Sequence, residues 1–227
     1  MPRRTSATAA ATAREGRLSK EGIVAAAIET ADRDGLAALS MRRLAQQLGV
    51  DAMSIYYHVR DKDALLGEMA DAVVAQIDAG AVPAGGPWTE RLRALITASR
   101  AAMARHPWAA RVLEGRDAPT PATMIHLERV LAIMRGGGCS VDLGHHAIHL
   151  LGSRILGFSQ DLFDDSPDTS PPPEMVRAWA ESLPHIAELA VAVSHEGPLG
   201  GCDDDDEFAF ALDVLLDGLE RRRVSGR

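Results

Sequence analysis

Aromatic residues make up only 4% of this 227-residue chain, and clusters of β-branched or aromatic residues that would mark strands are scarce. A β-rich fold is therefore excluded. The only cysteines are Cys139 and Cys202, which have no metal-binding spacing and are too few for a disulfide framework. No stretch reaches about 18 apolar residues, the length of a membrane span. The leading segment MPRRTSATAAATAREGR has arginines but no continuous apolar core of an export signal. A soluble protein of the reducing cytoplasm is expected. Also missing are a nucleophile elbow, a phosphate-cradling glycine loop, an HExxH helix and a carboxylate pair in a recognisable setting, so the common enzyme signatures are absent.

What is present is a chain rich in Ala, Leu and Arg with 46% hydrophobic residues, enough to bury a sizeable core. An all-α protein is expected. The formal net charge is -8, which on its own argues against a nucleic-acid partner. Its distribution is uneven, however. Residues 1–65 carry ten Lys/Arg against eight Asp/Glu, and residues 66–227 carry fourteen against twenty-four. The basic part is N-terminal.

Residues 1–17 lack periodicity and read as a disordered basic tail, either solvated or reaching for DNA. Helix-start signals then recur three times: Leu18-Ser19 before Ile23, Leu39-Ser40 before Leu44, and Val50-Asp51 before Ile55. Each sets an apolar residue ahead of a capping residue and another five positions later, the hydrophobic-staple arrangement. Asp61 caps a fourth helix, 61–78, through Leu65, Leu66, Met69, Val73 and Ile77. The AVPAGGP segment, 81–87, divides a module at 18–80 from a larger domain at 87–222. Further helices are expected near 88–105, 107–114, 120–135, 141–163, 173–192 and 205–222. Two carry an apolar seam at alternating intervals of three and four: Ile148, Leu151, Ile155, Phe158 and Leu162, then Phe208, Leu212, Leu215 and Leu219. Such seams suit an intramolecular bundle or a dimer face.

The segment SMRRLAQQLGVDAMSIYYHV, 40–59, fits a helix-turn-helix. Leu44 and Leu48 face inward, Ala45 permits a close crossing, Gly49 suits the left-handed turn, and Val50 and Ile55 close the core. Both tyrosines of the chain, Tyr56 and Tyr57, stand beside His58 on this short second helix. Hydroxyl and imidazole groups flanked by Arg and Lys are what a helix in the major groove uses to reach phosphates and base edges.

Residues 18–70, from LSKEGIVAAAIETADRDGLAALSMRRLA through LGVDAMSIYYHVRDKDALL, resemble the DNA-binding module of the TetR family of one-component transcriptional regulators. PWTERLRALITASRAAMARHPW and HAIHLLGSRILGFSQDLF are similar to the tetracycline-repressor type of C-terminal domain. The resemblance implies an all-helical homodimer that binds operator double-stranded DNA and an unidentified small-molecule effector, with no cofactor and no membrane partner. It also implies that the two seams form an intersubunit four-helix bundle.

Carried over by position, Ser40, Arg42, Ser54, Tyr56, His58 and Lys62 match the family's DNA contacts. Ala52-Met53 departs from a polar residue followed by proline, and suits contact with thymine methyls instead. Tyr57 is read first as core support beneath the recognition helix, with DNA contact as the alternative, and Met41 is similarly open. The tetracycline site itself is not matched. Leu113 stands where those repressors have a metal-binding histidine, and Asp78 replaces a ligand-contacting one. A different, apolar effector pocket is expected, walled by Met69, Met103, Trp108, Val112, Met124 and Leu127, with Arg154 and Asp161 as either a polar ligand pair or an internal ion pair. His145, His146 and His149 include an i, i+4 pair without a third ligand, so no metal is assigned. The acidic run 203–207 reads as a solvated helix entry.

Overall fold

A computed structural model describes residues 18–77, 80, 82–155, 173–192 and 204–226. Among them are eleven α-helices and one short 3-10 turn, and no strand. The helices are α1 Lys20–Asp34, α2 Met41–Leu48, α3 Ala52–His58, α4 Lys62–Ala75, α5 Trp88–Arg105, α6 Trp108–Glu114, α7 Pro121–Gly136, α8 Val141–Ile155, α9 Pro173–Ser182, α10 Pro184–Ala192 and α11 Asp204–Ser225. The 3-10 turn, Leu36–Ala38, follows α1. No described helix is long and apolar enough to cross a membrane.

Every N-terminal signal read in residues 18–61 is a working cap. Ser19 accepts a hydrogen bond from the Gly22 N–H, Ser40 from Arg43, Asp51 from Met53 and Asp61 from Ala64, at 2.8 to 3.2 Å. Each bond satisfies one of the donors that a helix start leaves unpaired. The turn between α2 and α3 closes by the same logic at the other helix end. Gly49 sits at φ 67° and ψ 31°, its N–H bonds Gln46 O, and the Val50 N–H reaches back to Ala45 O at 3.0 Å. That pair of bonds is the Schellman motif, and its left-handed residue favours glycine.

By internal contacts the chain divides into two compact units, 1–156 and 157–227. In the first unit, α1 to α3 close around Ile23, Leu39, Leu44 and Ile55, each at most 1% exposed. This cluster continues without a break through Leu65, Met69 and Val73 of α4 to Trp108, Ala109 and Val112 of α6. α4 thus gives its buried face both to α1–α3 and to α6. α5 and α7 pack on each other, α7 packs on α4, and α8 on α7.

In the second unit, the single helix expected over 173–192 is two. α9 ends at Ser182 and α10 starts at Pro184. Proline has no N–H for the helical ladder and disfavours the helical conformation of the residue before it, Leu183, yet fits the first position of a new helix. Along α11 the buried stripe is Phe208, Leu212, Leu216 and Leu219. The expected seam had Leu215 in place of Leu216. At 3.6 residues per turn, both lie beside the line from Leu212 to Leu219, and the 4-4-3 spacing wins. On α8, Leu151 is buried and Ile148 half-buried. Phe158 and Leu162 lie outside the described residues, as do Asp78, Asp161 and Cys202.

Candidate nucleic-acid interface

The recognition helix, α3, has seven residues and buries one of them, Ile55. Ala52 packs at the edge of the core, and Val59 caps the C-terminus with its N–H on Ile55 O at 2.9 Å. With these positions inward, Met53 is 72% exposed, Tyr56 43% and Tyr57 87%, while Ser54 and His58 are half-buried. The exposure of Tyr57 corrects its reading as core support. Ile55 and Val59, four residues apart, already fill the inward line, and the Tyr57 ring projects to solvent with His58 edge-on to it, centroids 5.3 Å apart. Met53, Ser54, Tyr57, His58 and Leu18 line a groove of about 450 Å³ along the helix.

The flanking charges are sorted by internal pairing. Arg43 of α2 bonds Asp34 at 3.1 Å, Lys20 pairs with Glu68, and Arg60 with Asp61 at 2.7 Å. The Asp61 hydrogen bond raises the Arg60 guanidinium above its ordinary range, and the Ala64 N–H, followed by Arg60, holds the Asp61 carboxyl below its own. Arg42 is exposed in the first turn of α2, and its side chain makes no hydrogen bond or ion pair among the described residues. Lys62 donates to Leu39 O at 2.7 Å, which ties the start of α4 to the entry of α2 and leaves two ammonium protons for an outside acceptor. Ser40 is the α2 cap. The eight residues Ser40, Arg42, Ala52, Met53, Ser54, Tyr56, His58 and Lys62 thus lie on α3 or at the N-terminal ends of α2 and α4. Tyr57, whose alternative reading is DNA contact, is exposed on the same helix.

The residues expected to wall an effector pocket are less unified. Met69 is fully buried, and Trp108 and Val112 are 8% and 9% exposed, all in the cluster continuous with the helix-turn-helix core. In this structure they pack α4 and α6 onto the helix-turn-helix core. Met103 packs at the edge of this cluster, Leu127 is half-buried and Met124 is 54% exposed. Arg154 belongs to α8, and its proposed partner Asp161 lies outside the described residues. Buried polar groups of this region were not singled out from sequence. Ser99 of α5 is 4% exposed and lies 3.4 Å from His126 Nε2 of α7, while His126 Nδ1 is buried without a partner. Burial, with a smaller contribution from Arg129, lowers the His126 pKa below its ordinary 6.5.

A staple-capped helix-turn-helix with an outward polar and aromatic helix, joined to a helical second part, defines a DNA-binding transcriptional regulator. The chain belongs to the TetR family. Residues 23–69 match the family model "Bacterial regulatory proteins, tetR family", and residues 82–223 match "Tetracyclin repressor-like, C-terminal domain". It is 30% identical over 211 residues to the HTH-type transcriptional repressor DrrR1 of Streptomyces coeruleorubidus, covering 89% of this chain and 77% of that protein. The structure of apo ActR from Streptomyces coelicolor superposes with a TM-score of 0.76 at 26% identity, over 92% of this chain and 98% of that one. ActR in complex with actinorhodin gives 0.73 at 28% identity, over 89% and 95%.

Proposed function

We propose that this chain acts in the cytoplasm as a homodimer that binds a pseudo-palindromic operator and leaves it when a small molecule binds the larger helical domain. The observation that carries the reading is the face of α3, where Met53, Tyr56 and Tyr57 stand out in solvent beside the uncommitted Arg42. A short helix that keeps its large side chains outside the core has them free for a groove. Arg42, Tyr56, His58 and Lys62 hold phosphates, Ser54 reaches a phosphate or a base edge, Ser40 caps α2 beside them, and Ala52-Met53 meet thymine methyls.

Repressor action draws support from the likeness to DrrR1, and a small-molecule effector from ActR, whose structure is solved in complex with actinorhodin. Nothing in this reading calls for catalysis, a cofactor or a membrane. Helix α4 links the two functions. It starts at Lys62 next to α3 and sends Met69 and Val73 into the cluster shared with α6, so a ligand that shifts α4 alters the spacing of two recognition helices. To move a dimer from 99% to 1% operator-competent, the ligand must prefer the released state by about 5.5 kcal/mol.

Selection of binding duplexes from a random library, followed by salt titration, tests the contact map. Arg42→Ala should weaken all duplexes alike and lower the salt slope by about one unit, whereas Met53→Gln should change which bases are selected at one position per half-site. An unchanged slope in the first variant together with unchanged selection in the second would refute the assignment of α3 as the reading helix.

A further inference from the structure

The end of α1 is fastened in two directions. Towards the larger helical part, the Asp32 carboxylate accepts a hydrogen bond from Trp108 Nε1 at 2.6 Å and meets His106 Nδ1 at 2.9 and 3.0 Å. His106 occupies the corner between α5 and α6, and Trp108 begins α6. A carboxylate only accepts, so Nδ1 is the nitrogen that carries the proton facing it. Towards the reading head, Asp34 bonds Arg43 of α2 at 3.1 Å, and the buried Thr30 hydroxyl donates to Gln47 Oε1 of α2 at 2.8 Å. α2 then carries α3 through the fixed Gly49 turn.

These contacts form a continuous directional path from the α5–α6 corner to the recognition helix, and none of them involves α4. Trp108 and Val112 also touch the head through apolar packing, but apolar contact is non-directional and tolerates sliding. Two ring N–H donors converging on one carboxylate fix distance and direction together.

We propose that Asp32 is a positioning residue for operator binding: through Trp108 and His106 it sets the orientation of the reading head by a second connection, parallel to α4. The proposal rests on the operator reading above. Asp32 touches no DNA itself and acts through α1 and α2.

The test uses the full chain and a duplex selected by the wild type, with Asp32→Asn, Trp108→Phe and the double variant. Asparagine replaces one acceptor oxygen with a donor, and phenylalanine deletes the indole N–H while keeping apolar bulk. Each single variant should lose operator affinity, Asp32→Asn on the order of tenfold, and the double variant should lose no more than Asp32→Asn, because Trp108 acts only through Asp32. The salt slope should stay at the wild-type value, since no phosphate contact is removed. Asp32→Glu, which keeps the charge and both acceptors, should recover part of the loss. Wild-type affinity in both single variants, additive losses or a lowered salt slope would overturn the proposal, as would losses explained wholly by unfolding at the assay temperature in a circular-dichroism melt. Failure of the wild type to select any duplex overturns the operator reading and this proposal with it; a selected duplex with indifferent Asp32 variants overturns this proposal alone.

Discussion

His126 is the residue whose chemistry most departs from its type. Its Nδ1 is buried without a partner, and burial disfavours the charged ring, so its folded pKa lies below the ordinary 6.5. The unfolded chain therefore binds a proton at a pH where the folded chain does not. The neutral-ring contribution to stability is complete above about pH 6.5 and is lost as pH falls from there through the folded pKa. Replacing His126 with Phe should flatten that part of the pH dependence of the unfolding midpoint, read by circular dichroism between pH 7.5 and about pH 5. A slope unchanged by the substitution would place the titrating group elsewhere. Nothing in the sequence marks this histidine, because its isolation depends on which faces of α5 and α7 meet. The caps at Ser19, Ser40, Asp51 and Asp61 were legible for the opposite reason: a cap is a local event between a side chain and an N–H two or three residues away. Tyr57 shows the limit of local reading, since one helix offers two outward lines and only packing decides which is buried.

The turn between α2 and α3 is the element on which the reading head depends. Gly49 adopts φ 67° with open space where a Cβ would be, so alanine there meets no clash and pays only the left-handed backbone penalty, about 1–2 kcal/mol. Gly22, within the first turn of α1, has ordinary helical geometry and only Ser19 Oγ at 3.5 Å; alanine there should stabilise by up to about 1 kcal/mol. Thermal melts should thus move in opposite directions for Gly49→Ala and Gly22→Ala, and a shared direction would mean that the turn conformation is not what Gly49 supplies. Helix positions over 18–155 were readable because amphipathic periodicity and caps coincide there. The break at Pro184 was readable too, from a proline that lacks the ladder N–H and disfavours the helical conformation at Leu183. The choice of Leu216 over Leu215 was not readable, because both residues are leucine and lie on adjacent lines of one helix.

For the whole molecule, the family's two-part organisation was legible from the helix-turn-helix and the segments that follow it, but the continuity of the core from Ile23 to Val112 was not. Apolar spacing says that a helix has a buried face; it does not say what meets that face. Met69 and Trp108, expected as pocket walls, therefore gave no sign that they would also pack α4 and α6 onto the helix-turn-helix core. The dimer reading is affected similarly. Leu212, Leu216 and Leu219 are already buried within one chain, while Phe210 at 68% and Val214 at 55% stand exposed, four residues apart on one face that the proposed dimer would cover. A two-fold dimer with its recognition helices about one DNA turn apart is the central claim. Sedimentation of the chain with a selected duplex, beside a Phe210→Asp variant, tests it most directly. The account predicts two chains per duplex for the wild type, with half-sites separated by about 34 Å, and a variant that sediments as a monomer and binds the duplex far more weakly; a wild-type complex of one chain per duplex that still binds tightly and sequence-specifically would contradict it.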